Sequence, residues 1–208
     1  MKNLLKTLLA SLALLTVPMF LNGQNIDENK LLQQRAKERV RLMNDYVSWM
    51  ADKRNPEDER KYYRTEALPL FIGKGYEYKE NGTTKKGVMM QTTSVNKPGI
   101  VDTTLIRDYF TRLTNLKYTS VNITSTEIAD IKVSDLKKID SNLYECTCQY
   151  VQYFRGQYGD GYVYKDKTTK RIKCYVEVEE VEPDSYGNRY EYMVMLGDVE
   201  AISTERIE

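Results

Sequence analysis

The sequence predicts an α+β fold in which three helices precede a mainly antiparallel sheet. Two patterns carry this prediction. Apolar residues recur every three or four positions in the first half of the chain, and they alternate with polar residues in the second half. The length of 208 residues suits one domain, and residues 24–208 contain no linker, repeat or low-complexity segment.

Three segments have the signals of helices. The first is predicted from an apolar stripe at helical spacing, which ends near Lys53 and consists of Leu32, Ala36, Val40, Met43, Val47 and Met50. The second begins at Asn55-Pro56, where a capping residue and a first-position proline precede three acids, and Pro69 ends it. The third follows a cap at Asp102 or Thr103, and its apolar face comprises Leu105, Ile106, Tyr109, Phe110 and Leu113.

The remaining segments predict strands. Asn81-Gly82 lies between two strand-like runs, which is the strongest short-range signal of a hairpin. Four longer strands follow, within Lys117–Lys132 and at Leu143–Phe154, Arg171–Val181 and Arg189–Ile202. The second and third of these alternate apolar and polar residues, as in a sheet covered on one side. Between them we expect a glycine-rich loop at Gly156–Gly161 and a short extra hairpin that turns at Asp166–Thr169.

Residues 1–23 have the order of a secretory signal peptide. Lys2 and Lys6 accompany an apolar run from Leu8 to Val17, and Pro18 and small or polar residues come next. The run is too short to span a bilayer, which takes about 20 apolar residues. We expect cleavage near Gly23/Gln24, with a retained membrane anchor as the alternative. Since no cysteine lies near the cut, a lipid-anchored N-terminus is not expected, and the mature chain is predicted to be soluble and periplasmic or extracellular.

The order of helix, helix, hairpin, helix and four long strands resembles the NTF2-like (SnoaL-like, cystatin-like) superfamily. This resemblance covers roughly residues 30–203 and implies a strongly curved sheet, a cone, that wraps over the long first helix. It implies a pocket between the concave sheet face and the helices, and dimers through the outer face. The leader and the composition resemble those of uncharacterised exported proteins of Bacteroidetes.

Composition excludes several kinds of chemistry. The chain has no histidine, which excludes histidine triads, histidine zinc sites and histidine proton shuttles. The formal net charge is +1, and it becomes −1 once the two lysines of the signal peptide are removed. A net charge this close to zero does not favour binding to nucleic acid or to an anionic membrane. No cofactor and no metal are predicted.

The 17 tyrosines are the most distinctive part of the composition. One interpretation is an aromatic pocket for a small ligand, and the other is that tyrosine is an ordinary strand residue. The candidate pocket residues are Tyr46, Trp49, Tyr63, Tyr109, Tyr144 and Tyr150. Tyr158, Tyr162 and Tyr164 lie near the glycine-rich loop and are predicted as exposed contact residues. The carboxylates that accompany the pocket, Asp45, Glu66 and Asp108, are expected to be solvated helix charges.

The three cysteines leave two interpretations open. Cys146 and Cys148 share one face of a strand and do not bridge each other easily, whereas Cys148 and Cys174 are candidates for a disulfide across neighbouring strands. All three are equally well explained as small buried residues.

The sequence favours a non-catalytic exported module that binds an unknown small ligand or an envelope protein. An alternative is a small-molecule enzyme of the isomerase, dehydratase or hydrolase type, with tyrosine and Asp/Glu in the cone pocket.

Overall fold

The protein is described by a computed structural model over residues 28–80, 82–184 and 187–207. For residues 28, 180–184 and 187–190 the backbone alone is described. The predicted signal peptide, residues 1–23, lies outside the described residues, and its cleavage stays a prediction.

The described residues form three α-helices, two of which contact the sheet while the middle one packs mainly against the other two. They are α1 (Glu28–Ala51), α2 (Glu57–Ala67) and α3 (Ile106–Thr114), with short 3₁₀ helices at Leu68–Leu70, Ile72–Gly75 and Ile128–Asp130. Every residue of the predicted apolar stripe of α1 is buried in the core, at 1% exposure or less. The stripe faces the sheet because its spacing of three and four residues keeps it on one side of the helix.

Two of the predicted helix caps differ from the structure. Pro56 rather than Asn55 occupies the N-cap of α2, and it makes no side-chain capping bond. Asp102 and Thr103 belong to a strand that runs to Leu105, and Leu105 caps α3. These residues form a strand rather than a helix cap because Asp102–Leu105 pairs with a neighbouring strand over four positions.

Ten strands lie within the described residues. They are β1 (Tyr78–Glu80), β2 (Thr83–Lys85), β3 (Met89–Thr92), β4 (Asp102–Leu105), β5 (Ser120–Ser125), β6 (Lys132–Val133), β7 (Lys137–Lys138), β8 (Leu143–Gln157), β9 (Val163–Asp184) and β10 (Gly187–Arg206). The predicted hairpin is confirmed as β1 and β2, in which Glu80 pairs with Thr83.

The main sheet has the order β4-β3-β10-β9-β8-β5, with β6 and β7 also paired to β8. Its pairs are antiparallel except for β3 with β10, so the mainly antiparallel prediction is confirmed. Register shifts interrupt β10 between Leu196 and Val199 and again between Ala201 and Ser203. Such bulges increase local twist and bend a long strand. The sheet curves round α1, which contacts β5, β8, β9 and β10.

The predicted extra hairpin at Asp166–Thr169 is wrong. Strand β8 continues to Gln157 and β9 begins at Val163, so Asp166 lies inside a strand and pairs with Phe154. Turn-forming residue types in this stretch are overridden by the pairing of β9 with β8 on one side and β10 on the other.

Candidate functional site

Strand β9 carries a row of polar side chains on the face that the helices cover. Tyr164, Asp166, Thr168 and Lys170 are each 7% exposed or less. They share this face because side chains of a strand alternate, and Ile172 and Cys174 continue the series into the apolar core. We call these four residues the polar row, and the space between the sheet and the helices the cone interior.

Lys170 places an amino group in the cone interior. Its Nζ lies 3.6 Å from the sulfur of Met90 and 5.6 Å from the ring centre of Tyr109 on α3. Within the described part of the chain, no carboxylate forms an ion pair with Lys170. Burial lowers its pKa to about 8, although the charge of Asp166 acts in the opposite direction.

Asp166 places a carboxyl group toward the other end of the polar row. It accepts a hydrogen bond from the Tyr164 hydroxyl, which also lies 2.9 Å from the Ser94 hydroxyl. Burial raises the pKa of Asp166, while the hydrogen bond from Tyr164 and the charge of Lys170 oppose that rise. Burial and the bond to Asp166 raise the pKa of Tyr164 to about 12, so this phenol is a proton donor at neutral pH.

Strand β8 and helix α1 add polar groups beside the polar row. Gln152 Nε2 donates to Asn44 Oδ1 at 3.2 Å, and Asn44 Nδ2 donates to the Val40 carbonyl at 3.0 Å. Burial raises the pKa of the Tyr150 phenol, and a hydrogen bond with Asn44 opposes that rise. Burial and the charge of Asp166 also raise the pKa of Tyr109. The Lys170 ammonium, whose hydrogen-bond partner is the Met90 sulfur, lacks an oxygen or nitrogen partner among the described residues.

An aromatic rim leads from the surface to the polar row. It consists of Tyr118, Phe154, Tyr158 and Tyr162. Tyr158 lies 4.4 Å from Tyr118 and 6.0 Å from Tyr162 between ring centres. Phe154 lies 5.4 Å from Tyr118 and 5.8 Å from the ring of Tyr164. The rim thus provides a continuous aromatic surface that ends at the Asp166–Tyr164 pair.

Comparison with known proteins gives no sequence relative, since no protein-family model and no curated protein matches the chain. Among solved structures, a predicted scytalone dehydratase from Novosphingobium aromaticivorans is similar, with a TM-score of 0.39 and 14% identity. That match covers 88% of this chain and 93% of the other. A protein from Kribbella flavida has a TM-score of 0.36 and 13% identity over 86% of this chain and 94% of its own.

The topology of the chain itself agrees with the cone expected from the sequence. Helices α1 and α3 lie against a sheet in which an early strand, β3, pairs in parallel with the last strand, β10. The arrangement is an α+β cone of helices on a mainly antiparallel sheet. None of the described helices is long and apolar enough to cross a membrane.

The cone brings two of the six tyrosine and tryptophan residues predicted to line a pocket toward the polar row. Tyr109 contacts Lys170, and Tyr150 lies beside Asn44. Tyr46, Trp49 and Tyr63 instead form their own cluster on α1 and α2, with ring centres 5.2 to 6.3 Å apart. Tyr144 has the Lys138 ammonium 5.7 Å from its ring centre.

The predicted contact loop divides in a similar way. Tyr158 is 38% exposed and Tyr162 is 50% exposed, whereas Tyr164 is 7% exposed and turns into the cone interior. Tyr164 is buried because β9 has already begun at Val163, so alternation directs the next side chain inward.

Of the carboxylates expected to be solvated helix charges, Asp45 and Asp108 do not reach the cone interior. Asp45 forms an ion pair with Arg41 at 2.9 Å, and Asp108 is exposed. The carboxylate that does reach it, Asp166, was missed because its segment was interpreted as a turn. Alternation along the strand could have identified Asp166. Steps of two back from Ile172 and Cys174 give Lys170, Thr168 and Asp166 on the same inner face.

The three cysteines are buried free thiols that meet on adjacent strands. The sulfur atoms of Cys148 and Cys174, the predicted disulfide pair, lie 3.6 Å apart. Hydrogen bonds from the two other thiols lower the pKa of Cys146 to about 4.

Proposed function

We propose that the chain is an exported domain that binds a small organic acid inside its NTF2-like cone. The observation that supports this is Lys170, a buried ammonium group for which the described residues provide no carboxylate partner. Burying an unpaired cation is costly, and such groups concentrate at functional sites. An acidic group of a ligand would supply the missing charge and hydrogen bonds.

The other end of the polar row suggests a second feature of the ligand. Asp166 and Lys170 are four residues apart on one strand face, which is about 13 Å along an extended strand. The Asp166 carboxyl accepts hydrogen bonds, and Tyr109 and Met90 provide apolar surface beside Lys170. We infer a ligand with an apolar body, an acid at one end and a hydroxyl or amine at the other.

Export and a macromolecular partner belong to the same proposal. The order of residues 1–23 supports removal of a signal peptide and a mature chain, residues 24–208, that works in the periplasm or outside the cell. Beside the ligand we propose either an envelope protein or a second copy of the chain as partner. The exposed apolar side chains of Met193 and Ile202 on β10 support a contact on the sheet.

Binding of carboxylates to the mature chain tests the ligand proposal. Benzoate, 1-naphthoate and decanoate would be titrated by calorimetry at pH 7, with 1-naphthamide as a neutral ligand of matched shape. At least one carboxylate is expected to bind, and Lys170→Met should weaken it about 10- to 100-fold, the value of one hydrogen-bonded charge pair.

Lys167→Met is the matched control for this experiment. Lys167 lies on the same strand, and it is paired with Glu205 at 3.0 Å on the exposed side. This variant should leave binding unchanged. Binding that is equal in Lys170→Met and in the wild type, or no binding of any acid, would contradict the proposal.

The buried Asp166–Tyr164 pair favours a second candidate, an acid–base enzyme. A carboxyl group whose pKa is raised by burial is a stronger base than an ordinary one, and a neutral phenol donates a proton. A substrate carbonyl that takes over the Tyr164 hydrogen bond would free the Asp166 carboxylate to abstract a proton from the adjacent carbon, as in an isomerase or dehydratase. The identity of the substrate decides between this and simple binding.

Proton exchange tests the enzyme candidate. Decanoate and 4-oxodecanoate would be incubated with the protein in D₂O, and exchange next to each carbonyl would be followed by NMR. Catalysis predicts exchange that Asp166→Asn abolishes and that Ser94→Ala largely retains. If Asp166→Asn exchanges deuterium at the wild-type rate, the acid–base role is rejected.

A further inference from the structure

All three cysteines of the chain converge in one buried cluster, which we call the thiol cluster. Cys146 and Cys148 lie two residues apart on β8, and Cys174 pairs directly with Cys146 from β9. The three sulfur atoms all lie within 4.8 Å of one another, and those of Cys148 and Cys174 are 3.6 Å apart. No residue of the cluster is more than 2% exposed.

These distances suit a single ion between the sulfurs. A thiophilic metal binds sulfur at about 2.3 Å, and three such ligands in a plane stand roughly 4.0 Å apart. The one measured separation, 3.6 Å, and the 4.8 Å within which all three sulfurs lie are both close to this value, so small changes of side-chain torsion bring the sulfurs to it. The backbone supports the arrangement, because β8 and β9 are paired without a register shift from Leu143 to Gln157.

The surroundings select the class of ion. Ile172 and Val176 flank Cys174 on the same strand face and are fully buried, so the environment is apolar. No fourth His, Cys, Asp or Glu joins the group in the described part of the chain. Thiolates without oxygen or imidazole ligands select soft ions such as Cu(I).

We propose that Cys146, Cys148 and Cys174 form a three-coordinate thiolate site for one soft d¹⁰ metal ion of the Cu(I) class. Binding replaces thiol protons, which leave to solvent, and changes no oxidation state. The site is separate from the polar row, so it neither depends on nor supports the ligand proposal.

Anaerobic titration of the reduced mature chain with Cu(I), supplied as its acetonitrile complex, tests the site. Thiolate-to-metal absorption in the near ultraviolet should rise and stop at one equivalent, in competition with the chelator bicinchoninate. X-ray absorption should show sulfur ligands alone. Zn(II), which takes four ligands in structural sites, should bind at least 100-fold more weakly than Cu(I).

Alanine variants give the matched controls. Cys148→Ala and Cys174→Ala should each weaken Cu(I) binding at least 100-fold, whereas Val176→Ala, a neighbouring core truncation, should retain it. Circular dichroism would confirm that each variant is folded. If a variant is unfolded, the number of sulfur ligands that X-ray absorption finds in the wild type tests the site instead. Three outcomes overturn the site: no absorption band, full transfer of Cu(I) to the chelator, or a disulfide seen as the loss of two hydrogen masses.

Discussion

The buried Lys170 makes the stability of the folded chain depend on pH. Burial lowers its pKa from 10.5 to about 8. The folded chain therefore holds this proton more weakly than the unfolded chain, which reduces stability below pH 8. Between about pH 8 and pH 10.5 the folded chain has lost this proton and the unfolded chain still holds it. The stability of the folded chain therefore rises with pH over this range. At about 1.4 kcal/mol for each pKa unit, the cost at neutral pH is roughly 3 kcal/mol.

Replacing Lys170 with Met should stabilise the protein while it removes the proposed binding. We expect Lys170→Met to raise the free energy of unfolding at pH 7 by about 1–3 kcal/mol, since it removes a buried charge and keeps a similar volume. The advantage over the wild type should vanish between pH 8 and 10.5. Urea unfolding at several pH values measures both.

Lys167→Met again provides the control. Its exposed pair with Glu205 contributes about 0–1 kcal/mol, so this variant should follow the pH profile of the wild type. A Lys170→Met protein that is less stable than the wild type at pH 7 would show that Lys170 is satisfied by the fold.

Strands β8 and β9 position the polar row and the aromatic rim together. Gly156 near the end of β8 is essential to this arrangement, because the ring of Tyr118 packs against it. A Cβ atom at Gly156 would lie 2.6 Å from Tyr118 Cδ1 and 2.9 Å from Phe154 Cε1. Both rings would have to move, and they are the rings that connect the rim to Tyr164.

Gly156→Ala should therefore destabilise the protein by about 1–3 kcal/mol, as overpacking does. Near-ultraviolet circular dichroism should also change, because the stacked tyrosines lose their fixed geometry. Gly159→Ala is the matched control, since its Cβ would meet Thr119 Cγ2 at an ordinary 3.7 Å. Equal melting temperatures for the two variants would argue against tight packing at the rim.

The helices and the sheet form one cone that contains two separate clusters, the polar row and the thiol cluster. Lys170 and Cys174 lie four residues apart on the inner face of β9, with Ile172 between them. The polar row thus occupies one part of the cone interior and the thiol cluster another. This separation lets ligand binding and metal binding be tested independently.

Export is the remaining prediction about the whole chain. Expressed with its own N-terminus in a Gram-negative host, the protein should reach the periplasm, with a mass that begins at Gln24 or within three residues of it. Leu14→Arg places a charge in the apolar run and should leave the full-length precursor in the cytoplasm. Lys2→Arg keeps the charge and should be processed normally, so an unprocessed wild type would refute the signal peptide.

The sequence by itself predicted the α+β class, the three helices, the hairpin and the alternating faces of β8 and β9. These follow from local periodicity, which the chain carries residue by residue. It did not predict that Asp166, Thr168 and Lys170 face inward. The stretch has polar residues on both faces, so apolar and polar residues do not alternate along it. Its turn-forming residue types therefore predicted a turn, although alternation from Ile172 predicts an inward strand face.

Tertiary structure alone decided which aromatic residues meet. Tyr109 on α3 lies 5.6 Å from the Lys170 amino group, and Tyr150 is the register partner of Lys170 on β8. Tyr46 and Trp49 instead meet Tyr63 of α2. It also decided that three cysteines from two strands share one space, through a register that places Cys174 opposite Cys146. Periodicity specifies the face of each element, but burial of a lysine and the meeting of three sulfurs depend on pairings between distant segments.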